Sequence, residues 1–131
     1  MSSYGRSSRV RPQGGGFELA VWYLMRLTGL ALFVLALSHF IIVHVLYDPA
    51  EQTAAWILDA RWANVAVRTT DWLMLAAGVF HAFMGVRTIV GDYTRGGVRT
   101  TLTMLIYIAA FVVFAMGTFA LVSVPNVLPR E

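Results

Sequence analysis

Three histidines and three charged residues stand where the surrounding sequence is almost wholly apolar: His39, His44 and His81, with Arg26, Asp71 and Arg87. An ionisable group inside a membrane helix costs several kcal/mol, so each is a functional candidate by default. A neutral imidazole offers one ring nitrogen as donor and the other as a lone pair, so it can ligate haem iron or bond to a neighbouring helix. His81 carries the strongest signal. At helical spacing it shares a face with Met74, Gly78, Gly85, Thr88 and Asp92, and the two glycines remove side-chain bulk one turn to either side. A flat macrocycle approaching a ligating histidine needs such clearance. The same glycines, with Ala82, equally suit close helix packing in which His81 merely bonds to a neighbour. Spacing alone leaves those two readings level.

His39 and His44 are five positions apart and do not share a helix face. His44, beside Tyr47, falls near an interface. His39 lies deeper, as a second haem ligand, an interhelical hydrogen-bond partner, or neither; a structural role is preferred for both. Arg26, Arg87, Asp92, Arg95 and Arg99 gather toward one membrane face with Tyr93 among them. Snorkelling accounts for Arg95 and Arg99, while Arg26 and Arg87 intrude further, far enough to meet anionic groups such as propionates. Other chemistry is missing. With Cys 0 there is no thiol nucleophile, cysteine-held cluster or Cys-type zinc site, and no catalytic-triad order, P-loop, HExxH or EF-hand occurs.

Composition dictates what must position these residues. Of the 131 residues 58% are hydrophobic and 13% charged, against about 25% charged in a typical soluble domain. Mean hydropathy is +0.67. A chain this short cannot hide so much apolar surface in its own core, so the excess faces lipid or partner chains. The fold class is therefore an all-α membrane protein with three transmembrane helices, part of a multi-subunit helical bundle.

The spans are placed at about 21–47, 65–90 and 100–124, within an anchor domain of 19–125 that lies between a polar N-terminal tail (1–18) and a short C-terminal tail (126–131). Residues 1–16 are Ser-, Gly- and Arg-rich, predicted disordered in isolation and not a signal peptide. The first span is charge-free from Leu27 to Tyr47, matching the ~20 apolar residues that cross a bilayer core, and Asp48-Pro49 ends it. The WILDARW segment before the second span is predicted to lie in the interface, Trp56 and Trp62 at headgroup depth. The second span is the least apolar, with Asp71 and Arg87 bracketing its core and expected to snorkel. The glycines of the tight polar loop GDYTRGGVR are expected to break the helix after this second span, and Pro125 to end the third span. Arginine placement puts the N-terminus and second loop in the cytoplasm. All ten basic residues are Arg and form no run, so the net charge of +3 is read as topology and not as nucleic-acid binding.

The segment HAFMGVRTIVGDY (His81–Tyr93) resembles the hydrophobic anchor subunits of succinate dehydrogenase, specifically the smaller D-type anchor: a histidine, a small residue, a glycine four positions on, then Asp-Tyr at the helix end. WYLMRLTGLAL (Trp22–Leu32) resembles the Arg-x-[Ser/Thr]-Gly start of the first anchor helix. The resemblance implies a subunit, not catalytic alone, that docks the flavoprotein and iron–sulfur subunits of a succinate:quinone oxidoreductase beside a C-type sister anchor. It implies that His81 is an axial ligand of haem b, the opposite ligand coming from the sister anchor. Tyr93 would hydrogen-bond a quinone carbonyl, Asp92 would orient groups beside it, and Arg26 would lie near a haem propionate or the quinone pocket. His39 and His44 fall outside these motifs and leave room for another ligand set or a second haem. The implied location is the inner, cytoplasmic membrane of a bacterium. A fumarate reductase anchor has the same fold, and a scaffold without redox chemistry is the alternative in which the polar residues only pack helices. In isolation the chain is expected to be unstable, with His81, Asp71 and Arg26 lacking partners.

Overall fold

The computed structural model describes residues 16–127, with side chains as far as Ser123. Helix α1 (Phe17–Ile41) opens after Gly16, whose φ of 92° is a left-handed conformation that glycine adopts without strain. It continues as a π-helical turn, Ile42–Leu46, and stops at the extended Tyr47. Asp48-Pro49 follows as expected: the Asp48 carboxylate accepts from the Ala50 N–H and Pro49 opens a single 3₁₀ turn. Thr53 caps the short helix α2 (Ala54–Trp56), which runs on as a π-helical segment, Ile57–Trp62. Asn64 starts α3 (Val65–Tyr93), its side-chain oxygen accepting from the Ala66 and Val67 N–H groups. Helix α4 (Gly96–Val127) is the last described element, and no strand occurs among the described residues.

Three stretches, Phe17–Leu46, Val65–Tyr93 and Gly96–Ser123, are long and apolar enough to cross a membrane. Their mean hydropathies of 2.3, 1.7 and 2.5 place α3 lowest, in keeping with its four charged residues, Arg68, Asp71, Arg87 and Asp92. At 1.5 Å per residue each is over 40 Å long, about a dozen ångströms more than a bilayer's hydrocarbon core, so the ends reach the headgroup zone.

Three boundaries differ from the sequence reading. α1 starts at Phe17, a turn before Val21. α3 passes through Gly91 and ends only at Tyr93, leaving Thr94 and Arg95 as the whole connection to α4. Gly91 lies against the Arg99 guanidinium, 3.4 Å from where a Cβ on it would stand, an ordinary van der Waals distance. The turn belongs instead to Gly96, at φ 59°. Pro125 does not stop α4, which is helical as far as Val127, the last described residue; the ring removes one backbone donor, a loss the rest of the helix carries.

The helices run up, down and up, with α3 in the middle packed on α1 along one side and on α4 along the other, while α1 and α4 barely meet. The α1–α3 seam is in register through Gly78 against Leu32, Gly85 against Met25 and Gly29 against His81. On the other seam Leu75 fills the place beside Gly117, and the Trp72 indole donates to the Thr118 hydroxyl at 3.1 Å. Such an open layer encloses little. Among the described residues only Val21, Val43, Met84 and Leu121 are buried hydrophobics, whereas Leu30, Phe33, Phe111 and Phe119 all stand outward. In water that surface would be untenable; against lipid and partner helices it is the expected state.

Candidate functional site

His81 sits sixteen positions into the 29-residue α3, about 24 Å from its start and 18 Å from its end, near the middle of the span. Its imidazole turns toward α1. Nδ1 lies 3.1 Å from Thr28 Oγ1, and Gly29 faces Cε1 so closely that a Cβ there would be 3.2 Å away. Gly78 and Gly85 do not leave the clearance expected of them: Leu32 Cδ2 and Met25 Cε of α1 occupy the positions facing them, at 3.9 and 3.8 Å from an added Cβ. The small residue that makes room for the ring is Gly29, on the other helix. The Arg-x-Thr-Gly motif already held Thr28 and Gly29, yet only a contact between helices gives them a purpose.

Toward the second-loop end, α3 keeps its period, so Asp92 returns to the His81 face about 16 Å further along. It lines a polar cleft of about 570 Å³ with Glu18, Arg87, Thr88, Gly91, Arg99 and Thr103. Arg87 does not await an external anion; it forms a two-pronged ion pair with Glu18 of α1. Glu18, which the sequence reading passed over, closes this end of the α1–α3 seam. Tyr93 is turned outward and 86% exposed. Arg26 is also exposed, lying over the Trp22 ring at 3.5 Å and donating to the Trp22 carbonyl at 3.0 Å. Two residues before Thr28, it lies about 200° around α1, on a different face from the one that meets His81. Within this chain Asp92 therefore joins the cleft, while Arg26 and Tyr93 face outward.

The first-loop end holds a second polar cluster. The Arg61 guanidinium donates to both Asp71 carboxylate oxygens at 2.8 and 2.9 Å, and the Trp62 indole donates to one of them at 3.3 Å. His39 Nδ1 is 3.4 Å from Asp71 and 3.3 Å from Arg61. Arg61 and Asp71 are only 12% and 13% exposed, so Asp71 does not snorkel. The π-helical segment of WILDARW delivers Arg61 to it, so that end of the segment is tied to α3. The seam register separates His39 from His81 by about ten residues, or 15 Å along the helices, so the two do not meet at one metal. His44 packs on Phe40, ring centroids 4.9 Å apart.

The polar groups expected to lack partners thus have them inside the chain: Thr28 for His81, Arg61 for Asp71, and the Trp22 ring and carbonyl for Arg26. No group of three or more His, Asp or Glu able to hold a bare metal ion forms among the described residues. What α3 offers is one mid-span imidazole with Nδ1 engaged and a second ring nitrogen. That donor would suit the iron of a haem, which a neutral histidine holds through one ring nitrogen while the other is engaged by a neighbour.

Comparison with known proteins agrees with this architecture. Residues 5–119 match the family described as succinate dehydrogenase/fumarate reductase transmembrane subunit. Over 98 residues, 72% of this chain and 82% of the relative, the sequence is 32% identical to a succinate dehydrogenase hydrophobic membrane anchor subunit of Archaeoglobus fulgidus.

Proposed function

This chain belongs to the succinate dehydrogenase/fumarate reductase transmembrane subunit family, and we propose that in it the chain binds haem b through His81, docks the catalytic subunits at its second-loop end and contributes Asp92 and Tyr93 to a quinone site. The observation that carries the reading is the placement of His81, mid-span on the central helix with one ring nitrogen anchored by a neighbour. The open helix layer supports a shared cofactor: three helices in a row cannot wrap a macrocycle, so a sister anchor would complete the pocket. Haem bound there supplies a one-electron relay between the soluble subunits and the membrane.

This chain's residues do the holding and the proton work. His81 would hold the haem iron through its imidazole, and the bulk of Leu32 and Met25 beside Gly78 and Gly85 keeps its face of α3 fixed against α1. Arg26 stands on the outward face of α1, available to a propionate or quinone oxygen at the boundary with the sister anchor. Tyr93, at the headgroup level, presents a phenol O–H to a quinone carbonyl, where a donor is worth most as the oxygen gains charge. Asp92, next in sequence and open to the polar cleft, orients that phenol's surroundings and gives protons a path from water. The N-terminus and the second loop face the cytoplasm, where Arg95 and Arg99 help seat the soluble subunits; the arginines of residues 1–15 lie outside the described residues.

The deciding experiment is purification of the complex through a tag on this chain. Flavoprotein, iron–sulfur and sister-anchor subunits should copurify, and the reduced-minus-oxidised spectrum should show a b-type α-band that His81→Leu removes and His44→Leu leaves intact. A colourless complex, or a band unchanged in His81→Leu, overturns the haem assignment; a band lost instead in His39→Leu moves the ligand to α1.

A further inference from the structure

We propose that Thr28 is a positioning residue for His81: its hydroxyl fixes the imidazole as the Nδ1–H tautomer and thereby leaves the Nε2 lone pair free for iron. The inference rests on the haem reading above and adds the device that keeps the ligating nitrogen unprotonated.

The argument counts hydrogens. Thr28 Oγ1 has a single one. It lies 2.7 Å from the Leu24 carbonyl oxygen, the ideal separation for an O–H···O bond to the residue four positions back in a helix. It also lies 3.1 Å from His81 Nδ1. Were the hydroxyl to donate to Nδ1 instead, two oxygen lone pairs would face each other at 2.7 Å with no hydrogen between them. The hydroxyl therefore donates to Leu24, and its oxygen accepts from Nδ1–H. A neutral imidazole carries one N–H, so Nε2 holds the lone pair. The seam holds the ring in this pose, because Gly29 next to Thr28 brings α1 to within contact of Cε1. A metal-bound histidine ordinarily donates its other N–H to a fixed acceptor, and loss of that acceptor typically costs 10–100-fold in metal affinity. Here the acceptor is built into the chain before any cofactor arrives.

The test uses the assembled complex in membranes with two variants: Thr28→Val, which keeps the branched shape and removes the acceptor, and Thr28→Ser, which keeps the acceptor. In a host unable to make haem, nitrogen NMR of ¹⁵N-histidine-labelled complex, assigned with His81→Leu, should find His81 protonated at Nδ1. Thr28→Val should move the proton toward Nε2, and Thr28→Ser should hold it at Nδ1. With haem supplied, Thr28→Val should weaken haem retention about 10–100-fold and move the haem midpoint potential upward, since a less basic imidazole stabilises ferric iron less; Thr28→Ser should restore both. A wild-type His81 protonated at Nε2 overturns the proposal, even if Thr28→Val fails to assemble. So does a Thr28→Val complex with unchanged haem retention and potential. If His81→Leu keeps its haem, the haem reading falls and this proposal with it; if His81→Leu loses haem while Thr28→Val behaves as wild type, only the role of Thr28 is lost.

Discussion

Gly29 of α1 stands directly opposite His81 of α3, with room for a hydrogen and no more: a Cβ at Gly29 would lie 3.2 Å from Cε1 and 3.8 Å from Nδ1 of the imidazole. The helix that orients the ring by one residue thus accommodates it by the next. Gly29→Ala should displace the ring by a few tenths of an ångström, keeping haem but altering its electron paramagnetic resonance g-values. Gly29→Leu should prise the α1–α3 seam apart and leave the complex deficient in haem. Haem per complex, measured across the two variants, should fall with side-chain volume; equal haem in all three proteins would show that the ring does not rely on this contact.

Arg61 and Asp71 form the most buried ion pair among the described residues, and an ion pair of that kind is costly to halve. Removing one partner leaves a charge with no counter-ion in a poorly hydrated place, typically about 3–5 kcal/mol of destabilisation. Arg61→Met and Asp71→Asn should each lower the unfolding temperature of the detergent-solubilised complex. The double variant should lose much less than the sum of the two. Additive losses would mean that the residues do not act as a pair.

The α3–α4 seam depends on the absence of a side chain at Gly117, where a Cβ would stand 2.6 Å from Leu75 Cδ2 and 2.9 Å from Cδ1. Both methyl groups face the glycine, so the leucine must change rotamer to admit even a methyl. Gly117→Ala should therefore cost about 1–3 kcal/mol as overpacking, and Leu75→Ala introduced into that background should recover part of it. Thermal stability of the complex reads the effect; a neutral Gly117→Ala would show slack in the seam.

Tyr93 distinguishes a quinone ligand from an aromatic belt residue through a single oxygen. Tyr93→Phe keeps the ring that an interfacial anchor needs and deletes the donor that a quinone needs. Quinone reduction by succinate should fall by one to a few powers of ten, on the order of 2–4 kcal/mol. Succinate oxidation with an artificial acceptor that bypasses quinone should be unchanged, as should haem content. Wild-type quinone reductase activity in this variant would send the search for the site to the partner chains.

What the sequence determined by itself was the solvent and the scaffold. Fifty-eight per cent hydrophobic residues in so short a chain must face lipid or partner chains, and three long apolar runs become three helices because within a single segment a bilayer core leaves backbone groups no other way to pair. The stop at Asp48-Pro49 was equally legible, being local chemistry. His81 stood out for the same reason, since a lone polar residue in an apolar run is visible without knowing its neighbours. The tertiary structure decided which surfaces meet. Helices that are apolar nearly all round carry no pattern saying which face packs, so nothing in one dimension puts Thr28 against a histidine 53 positions away, or draws Arg61 inward to Asp71. Ion pairs such as Glu18 with Arg87 depend on antiparallel register, which a shift of one turn would undo. The identity of each polar residue was local information; its partner was a property of the seam between helices.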